Sequence, residues 1–385
     1  MGVEGRIEIS LGCHGGQVDQ VQIQSTRPLY ASRLLEGKSV EQALQWLPRL
    51  FAICGTAQSC AGVRACEQAL GLRPASRDEE RRDCLVNMET VTEHLWRILL
   101  DWPVLLGEQP EQQCMASMLT TQQAYRLAVM ATDNPFLLSG AFAESDIHLP
   151  LPVLQKLGLI LQQQVYGMPA GEWLALSGPN ELQQWASSGV TVAARLLRRI
   201  EERQWCGLGR CTVAALPVLK LAQLHCSFEQ DDFIGQPQWL GDCCETSVLT
   251  RTESPLLRAL KSLHGNGLLV RLVARLTELA QLAGRLFPER FSNASLASGP
   301  ARNPAIGQVS AARGQLIHRV DMDGEQISCY QILAPTEWNF HPRGVVARSL
   351  ARLTGNMKQL EQQAKLLINA IDPCVGFSLN ISGAF

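Results

Sequence analysis

Apolar residues alternate along the two ends of this chain and recur at helical spacing through most of what lies between. That order limits the fold more than any single motif does. Over residues 6–11 the apolar positions are Ile7, Ile9 and Leu11, a Gly-Cys-His-Gly-Gly turn follows, and residues 18–23 alternate again, the pattern of a β-hairpin. Near the other end, residues 316–320 and 326–333 flank Asp323-Gly324, a second hairpin signal. Between them, Ser39 with Gln42 forms a capping box for a helix carrying Ala43, Leu44 and Leu47, which Pro48 bends or ends. The stretch ICGTAQSCAG reads as a break, followed by a helix over 61–70 that Gly71 terminates. Residues 76–102 give the clearest long helix. Ser76 and Glu79 cap it, and Leu85, Met88, Val91, Leu95, Ile98 and Trp102 fall at three- and four-residue steps up to Pro103. Helical spacing dominates from about 115 to 290, with Ser254-Pro255 as a start and Gly265-Asn-Gly267 as a break. Residues 288–308, rich in Ser, Asn, Pro, Gly and Ala, read as a loop, and two helices near 343–354 and 356–370 lead to Asp372-Pro-Cys374. The expectation is an α+β fold, predominantly helical, with β-hairpins near both termini around a central helical bundle. It forms one domain over 1–385: an N-terminal hairpin (1–25), a helical body (39–290), a C-terminal hairpin (310–335), and helices with the Asp-Pro-Cys motif (343–385).

Composition removes several function classes. With 46% hydrophobic residues in 385, the chain can bury a large core, while 18% charged residues and a net charge of -2 give no electrostatic reason to expect nucleic acid. The 13 cysteines are odd in number and scattered, unlike a secreted disulfide framework. MGVEGRIEIS lacks an apolar signal core, and the most apolar stretch, 268–287, is interrupted by Arg271, Arg275, Glu278 and Arg285. A cytoplasmic protein with reduced thiols and no membrane insertion is expected. Most of those thiols then serve as small core residues.

Two cysteines stand apart by context. Cys54, in Ile53-Cys-Gly55, precedes a helix whose N-terminus favours thiolate, the metal-binding form. Cys374 follows a proline that stops a helix and holds the thiol in a fixed turn. Cys206 and Cys211, and the adjoining Cys243-Cys244, lack the second cysteine or histidine pair of a zinc site. His94, beside the apolar stripe of the long helix, reads as a hydrogen-bonded core histidine. The glycine-rich GCHGG turn lacks the lysine and the strand–loop–helix setting of a phosphate loop.

The segments around these cysteines run in order along the chain: VEGRIEIS at the start, LLEGK at 34–38, ICGTAQSCAGVRACEQALG at 53–71, ETVTEHLWRILLDW at 89–102, ARGQLIHRVDMDGEQISCYQILAPTEWNFHPRG at 312–344 and IDPCVGFSLN at 371–380. In that order they resemble the large subunit of nickel–iron hydrogenases, although the middle third matches poorly and the chain is shorter than a typical catalytic subunit. The resemblance implies that family's fold. In the enzyme each cysteine motif supplies a terminal nickel ligand and then a cysteine that bridges nickel and iron. Here Cys54 and Cys374 hold the first positions, and Ala57 and Phe377 stand in the second. Cys60 either reaches inward as a substitute or simply packs. Arg313 aligns with the arginine that covers the iron's diatomic ligands, its alternative being an ordinary salt-bridged arginine. Glu4 aligns with a proton-passing glutamate, its alternative being an exposed strand residue. Ser32 stands where the family has a magnesium-site glutamate, and the family's terminal histidine is absent.

These departures resemble the HupK/HoxV type of hydrogenase accessory protein. The resemblance implies a non-catalytic scaffold, not an enzyme. It would hold iron carrying cyanide and carbon monoxide, without nickel, through Cys54 and Cys374, because soft thiolates suit such iron. The implied partners are the hydrogenase maturation machinery and the hydrogenase large-subunit precursor. The alternatives are an assembly factor that binds partners without metal, and an active or degenerate large subunit with an unusual site.

Overall fold

In the computed structural model, residues 5–51, 53–130, 133–138, 151–286 and 304–384 are described. The fold expectation holds: helices fill the middle and strands lie toward the two ends. The first hairpin pairs β1 (Ile7–His14) with β2 (Gln17–Ser25) in antiparallel register, Ile9 opposite Ile23, through left-handed Gly15 and Gly16. Ile7, Ile9, Leu11 and Cys13 of β1 face inward, as alternation requires. One cluster of buried apolar residues runs from Ile7 to Val375, and a smaller one gathers around Phe233, Ile317 and Trp338.

Helix α1 (Val40–Leu50) carries the capping box expected at Ser39 and Gln42, and it continues two residues beyond Pro48. Helix α2 (Gly55–Leu70) begins directly after Cys54, so ICGTAQSCAG is helix rather than a break. Its small residues suit it to burial, and twelve of its sixteen residues are buried. It packs against a three-stranded antiparallel sheet, Ala305–Ala311, Gly314–Asp323 and Gln326–Leu333. The approach is close: a Cβ on Gly307 would lie 2.0 Å from the Ala61 carbonyl oxygen. That sheet contains the expected hairpin, with left-handed Gly324 in the turn, plus an unforeseen first strand whose opening residues fall in the segment read as loop. Most of that segment, 288–303, lies outside the described residues.

Helix α3 (Ser76–Trp96) starts without the expected Ser76 cap. Its N-cap is Ala75, and Glu79 turns instead to Arg64 and Arg82, at 2.6 and 2.5 Å. Two guanidinium partners hold that carboxylate better than one backbone amide. Pro103 does not end the long helix either. A wide turn over Arg97–Asp101 accommodates it, and the helix resumes over Trp102–Leu106 until left-handed Gly107. Ser254 caps the helix Pro255–His264 as expected, accepting from the Leu257 amide at 3.1 Å.

A last strand, Phe377–Ala384, was not anticipated. It lies parallel to β1, with Ile7 opposite Phe377, and ties the end of the chain to its beginning. The second cysteine motif therefore sits beside β1 and the start of α2. Among the described residues, no helix is long and apolar enough to cross a membrane.

Candidate metal centre

Cys54 and Cys374, separated by 320 positions in sequence, line the same cavity of about 50 Å³. Arg27, Ser32, Ala334 and Glu337 contribute to the same wall. Ile53, Cys374 and Val375 also line a larger cleft of about 970 Å³, which Glu89, Glu93, Arg313, Asp372 and Phe377 line as well. All 13 cysteines are free thiols.

Each motif cysteine is placed by its own local structure. Cys54 is the N-cap of α2, yet it does not receive the benefit expected of a helix N-terminus. The buried Glu89 carboxylate of α3 accepts from the Thr56 and Ala57 amides at 2.8 and 3.0 Å, so an acid already occupies that end of the helix. Burial, the neighbouring Cys374 and the Glu89 charge push the Cys54 thiol up to about 12 rather than down. Burial likewise pushes Glu89 up to about 7 against the pull of its hydrogen bonds.

Cys374 follows Asp372, which ends the helix Met357–Ile371 in a left-handed conformation at φ 71°. Such a backbone costs about 1–3 kcal/mol at a non-glycine residue and persists only where its surroundings impose it. Three arginines do so here. Asp372 receives Arg97 at 2.9 Å, Arg275 at 3.1 Å and Arg313 at 3.2 Å. Burial opposes its ionisation, but Arg313, Arg97 and Arg275 outweigh this and hold the carboxyl well below the usual range. Arg313 also donates to the Pro373 carbonyl at 3.1 Å and to Glu93 at 2.7 Å.

Both sulfurs have polar neighbours aimed at them. Gln58 Nε2 lies 3.5 Å from Cys54 Sγ, and Thr336 Oγ1 lies 2.8 Å from Cys374 Sγ. Arg27 donates to both oxygens of Glu337 at 2.5 and 2.7 Å. Burial works against the Arg27 charge, but Cys374 and Glu337 more than offset it.

The fold is that of hydrogenases. At 16% sequence identity, the structure superimposes with a TM-score of 0.65 on the reduced, active nickel–iron–selenium hydrogenase of Desulfomicrobium baculatum, over 97% of each chain. Residues 246–378 match the family described as nickel-dependent hydrogenase. Along nearly the whole chain, the similarity is to hydrogenase expression/formation proteins. HupK of Azotobacter vinelandii is 30% identical over 98% of each chain, and HoxV of Cupriavidus necator is 31% identical over 94% of this chain and 92% of its own. The chain belongs to the HupK/HoxV family of hydrogenase expression/formation proteins.

Not every site residue named from the sequence of this HupK/HoxV-family protein meets at the cavity. Cys54 and Cys374 do, and Arg313 stands on the adjoining cleft. Cys60 is fully buried on α2, where Arg64, Glu79, Arg82 and Asp83 are its charged neighbours, and it lines neither space. Glu4 lies outside the described residues. Ala57 is buried in α2 below the Glu89 carboxylate, and Phe377 opens the last strand. His94 is a buried histidine bonded to Glu278 at 2.7 Å, as expected. The Cys243–Cys244 pair has a neighbour the sequence hid, His341, whose Nδ1 is 3.3 Å from Cys243 Sγ.

Sequence reasoning missed Arg27, Gln58, Glu89, His318, Tyr330 and Thr336. One signal was available for His318. It falls at an inward strand position with Leu316 and Val320, where a polar residue must find a buried partner.

The donor set can be tested against a metal. Among the described residues, no group of three or more His, Cys, Asp or Glu is placed to hold an ion. A closed four-ligand zinc site is therefore not built from those residues. Two soft sulfurs, each beside a hydrogen-bond donor, with small open space and a cation near them, do fit a metal that brings its other ligands with it.

Proposed function

We propose that this protein is a non-catalytic accessory factor of hydrogenase formation. Cys54 and Cys374 hold an iron–cyanide–carbonyl group while the nickel–iron active site is assembled. The observation that carries this reading is the shared cavity of the two motif cysteines, with Ala57 and Phe377 in place of the second pair. A methyl group and a phenyl ring cannot bridge two metals, so the donor set supports one metal and gives no second thiolate pair for nickel. Arg313, held on the cleft wall by Asp372 and Glu93, would face the diatomic ligands. When bound, the group supplies the preformed iron half of the hydrogenase centre. The chain's own contribution is to fix two thiols and keep cationic arginines beside them. The names of the relatives support the maturation role. The recipient would be a hydrogenase large-subunit precursor in the cytoplasm, with the maturation machinery as donor.

The second reading is an interaction-only assembly factor, favoured by the lack of a third protein ligand among the described residues. Replacing the chromosomal copy with a Cys54→Ser/Cys374→Ser variant in a hydrogenase-forming host separates the two. The metal-holding reading expects hydrogenase maturation to fall to the level of a deletion strain while the variant protein still accumulates. Undiminished maturation would establish the interaction-only reading instead.

A further inference from the structure

A buried polar chain ends on the Cys54 sulfur. His318 is fully buried, and burial lowers its pKa to about 3, so its ring is neutral, with one donor nitrogen and one acceptor. Its Nε2 lies 2.8 Å from Gln58 Oε1, which can only accept, so Nε2 carries the proton. Nδ1 must then accept, and the Tyr330 hydroxyl, 2.8 Å away, donates to it. With its oxygen on His318, the Gln58 amide sets its N–H toward Cys54 Sγ at 3.5 Å, within range for a sulfur acceptor. The reversed amide would set a carbonyl oxygen against the sulfur, an arrangement open only to a thiol that keeps its proton.

Cys374 has the same provision in shorter form. Its own amide donates to Thr336 Oγ1 at 3.2 Å, which leaves the hydroxyl proton free to point at Sγ, 2.8 Å away. The chain at Cys54 also shapes the backbone beside it. A Cβ on Gly62 would meet the Tyr330 hydroxyl at 2.9 Å and Leu47 Cδ1 at 2.2 Å, so glycine makes room where the tyrosine packs on α2. Gln58, His318 and Tyr330 are all buried, and burying three polar side chains is costly unless every partner is satisfied.

We propose that Gln58, His318, Tyr330 and Thr336 are positioning residues that aim donors at the Cys54 and Cys374 sulfurs and orient both toward a metal in their shared cavity. This rests on the metal-holding reading above. The residues act through the sulfurs and touch no metal themselves. Donors of this kind, one shell out from a metal, are worth about 10–100-fold in affinity.

Cobalt(II) titration of the purified full-length protein tests it, read by thiolate-to-cobalt charge-transfer absorbance. The wild type should show that band, and Cys54→Ser should lose it. Gln58→Leu and Thr336→Val should weaken cobalt binding about 10–100-fold and shift the band, with Thr336→Ser restoring it. Tyr330→Phe, nearly isosteric, should weaken binding in the same direction with an unchanged circular dichroism spectrum, which keeps the test open if Gln58→Leu does not fold. A wild-type band with unaltered variants would overturn the positioning role alone. Absence of the band in the wild type would overturn the metal-holding reading as well.

Discussion

A neutral histidine buried in a polar chain leaves a mark on stability that can be read without any metal. His318 has a folded pKa of about 3 against about 6.5 in an unfolded chain. Between those values the unfolded chain binds a proton that the folded one refuses. Its contribution is therefore complete above pH 6.5 and is lost as the pH falls toward 3, by about 2 kcal/mol at pH 5. Glu89 works the other way: its folded pKa is raised to about 7, so its contribution is complete below its unfolded value and is lost as the pH rises through 7. The two partly cancel in the wild type, and a single variant separates them. On going from pH 5 to pH 7, urea unfolding of His318→Gln should show a stability change about 2 kcal/mol less favourable than the wild type's, because the Glu89 loss is no longer offset. Identical pH dependence in the two proteins would mean that His318 titrates normally. At this scale the sequence revealed Cys54, Cys374 and Arg313 through their motifs. It could not reveal Gln58 or Thr336, because a glutamine in a helix and a threonine after a proline are common until a sulfur is placed beside them.

At the scale of elements, the site depends on how closely α2 is clamped. Buried Arg82 of α3 reaches Glu67 of α2 at 2.6 Å, and the edge of the three-stranded sheet lies directly on the α2 backbone. Gly307→Ala would drive a methyl group into the Ala61 carbonyl oxygen and to within 2.6 Å of the Ala65 amide nitrogen, neither of which can move aside. Thermal unfolding should register a loss of about 3 kcal/mol, the upper end of the usual overpacking cost. Gly284→Ala provides the contrast, since its Cβ would meet nothing within 4 Å and helix propensity alone should raise stability by about 0.5–1 kcal/mol. Equal behaviour of the two variants would contradict the close approach of sheet to helix. Elements with a strong period or a local cap, such as β1, β2, α1 and the helix Pro255–His264, were legible in the sequence. The start of α2 was not, because Gly55, Thr56 and Ala57 carry little helical signal and owe their helix to the Glu89 carboxylate, 32 residues downstream of Ala57. Pro103 misled for a related reason: the wide turn before it absorbs the clash that ordinarily ends a helix.

At the scale of the whole molecule, the two cysteine motifs meet because the chain closes on itself. The strand Phe377–Ala384 alternates Phe377, Leu379 and Ile381 with polar residues, a local strand signal in the sequence, and its parallel pairing with β1 spans nearly the full chain. No local pattern announces a partner that distant, which is why collinear resemblance located the motifs and only the structure could join them. That closure sets Cys374 beside Cys54, with Arg27 from the N-terminal region and Arg313 from the C-terminal sheet on the walls around them. What those two thiols hold decides the role of the protein. Infrared spectroscopy of the protein purified without oxygen from a hydrogenase-forming host, with iron and nickel measured on the same sample, is the most direct examination of it. The account predicts bands of iron-bound cyanide and carbon monoxide, iron without nickel, and loss of both bands and iron in Cys54→Ser and in Cys374→Ser. Bands that persist in both variants, nickel bound with the iron, or a wild-type protein free of iron and of these bands, would contradict it.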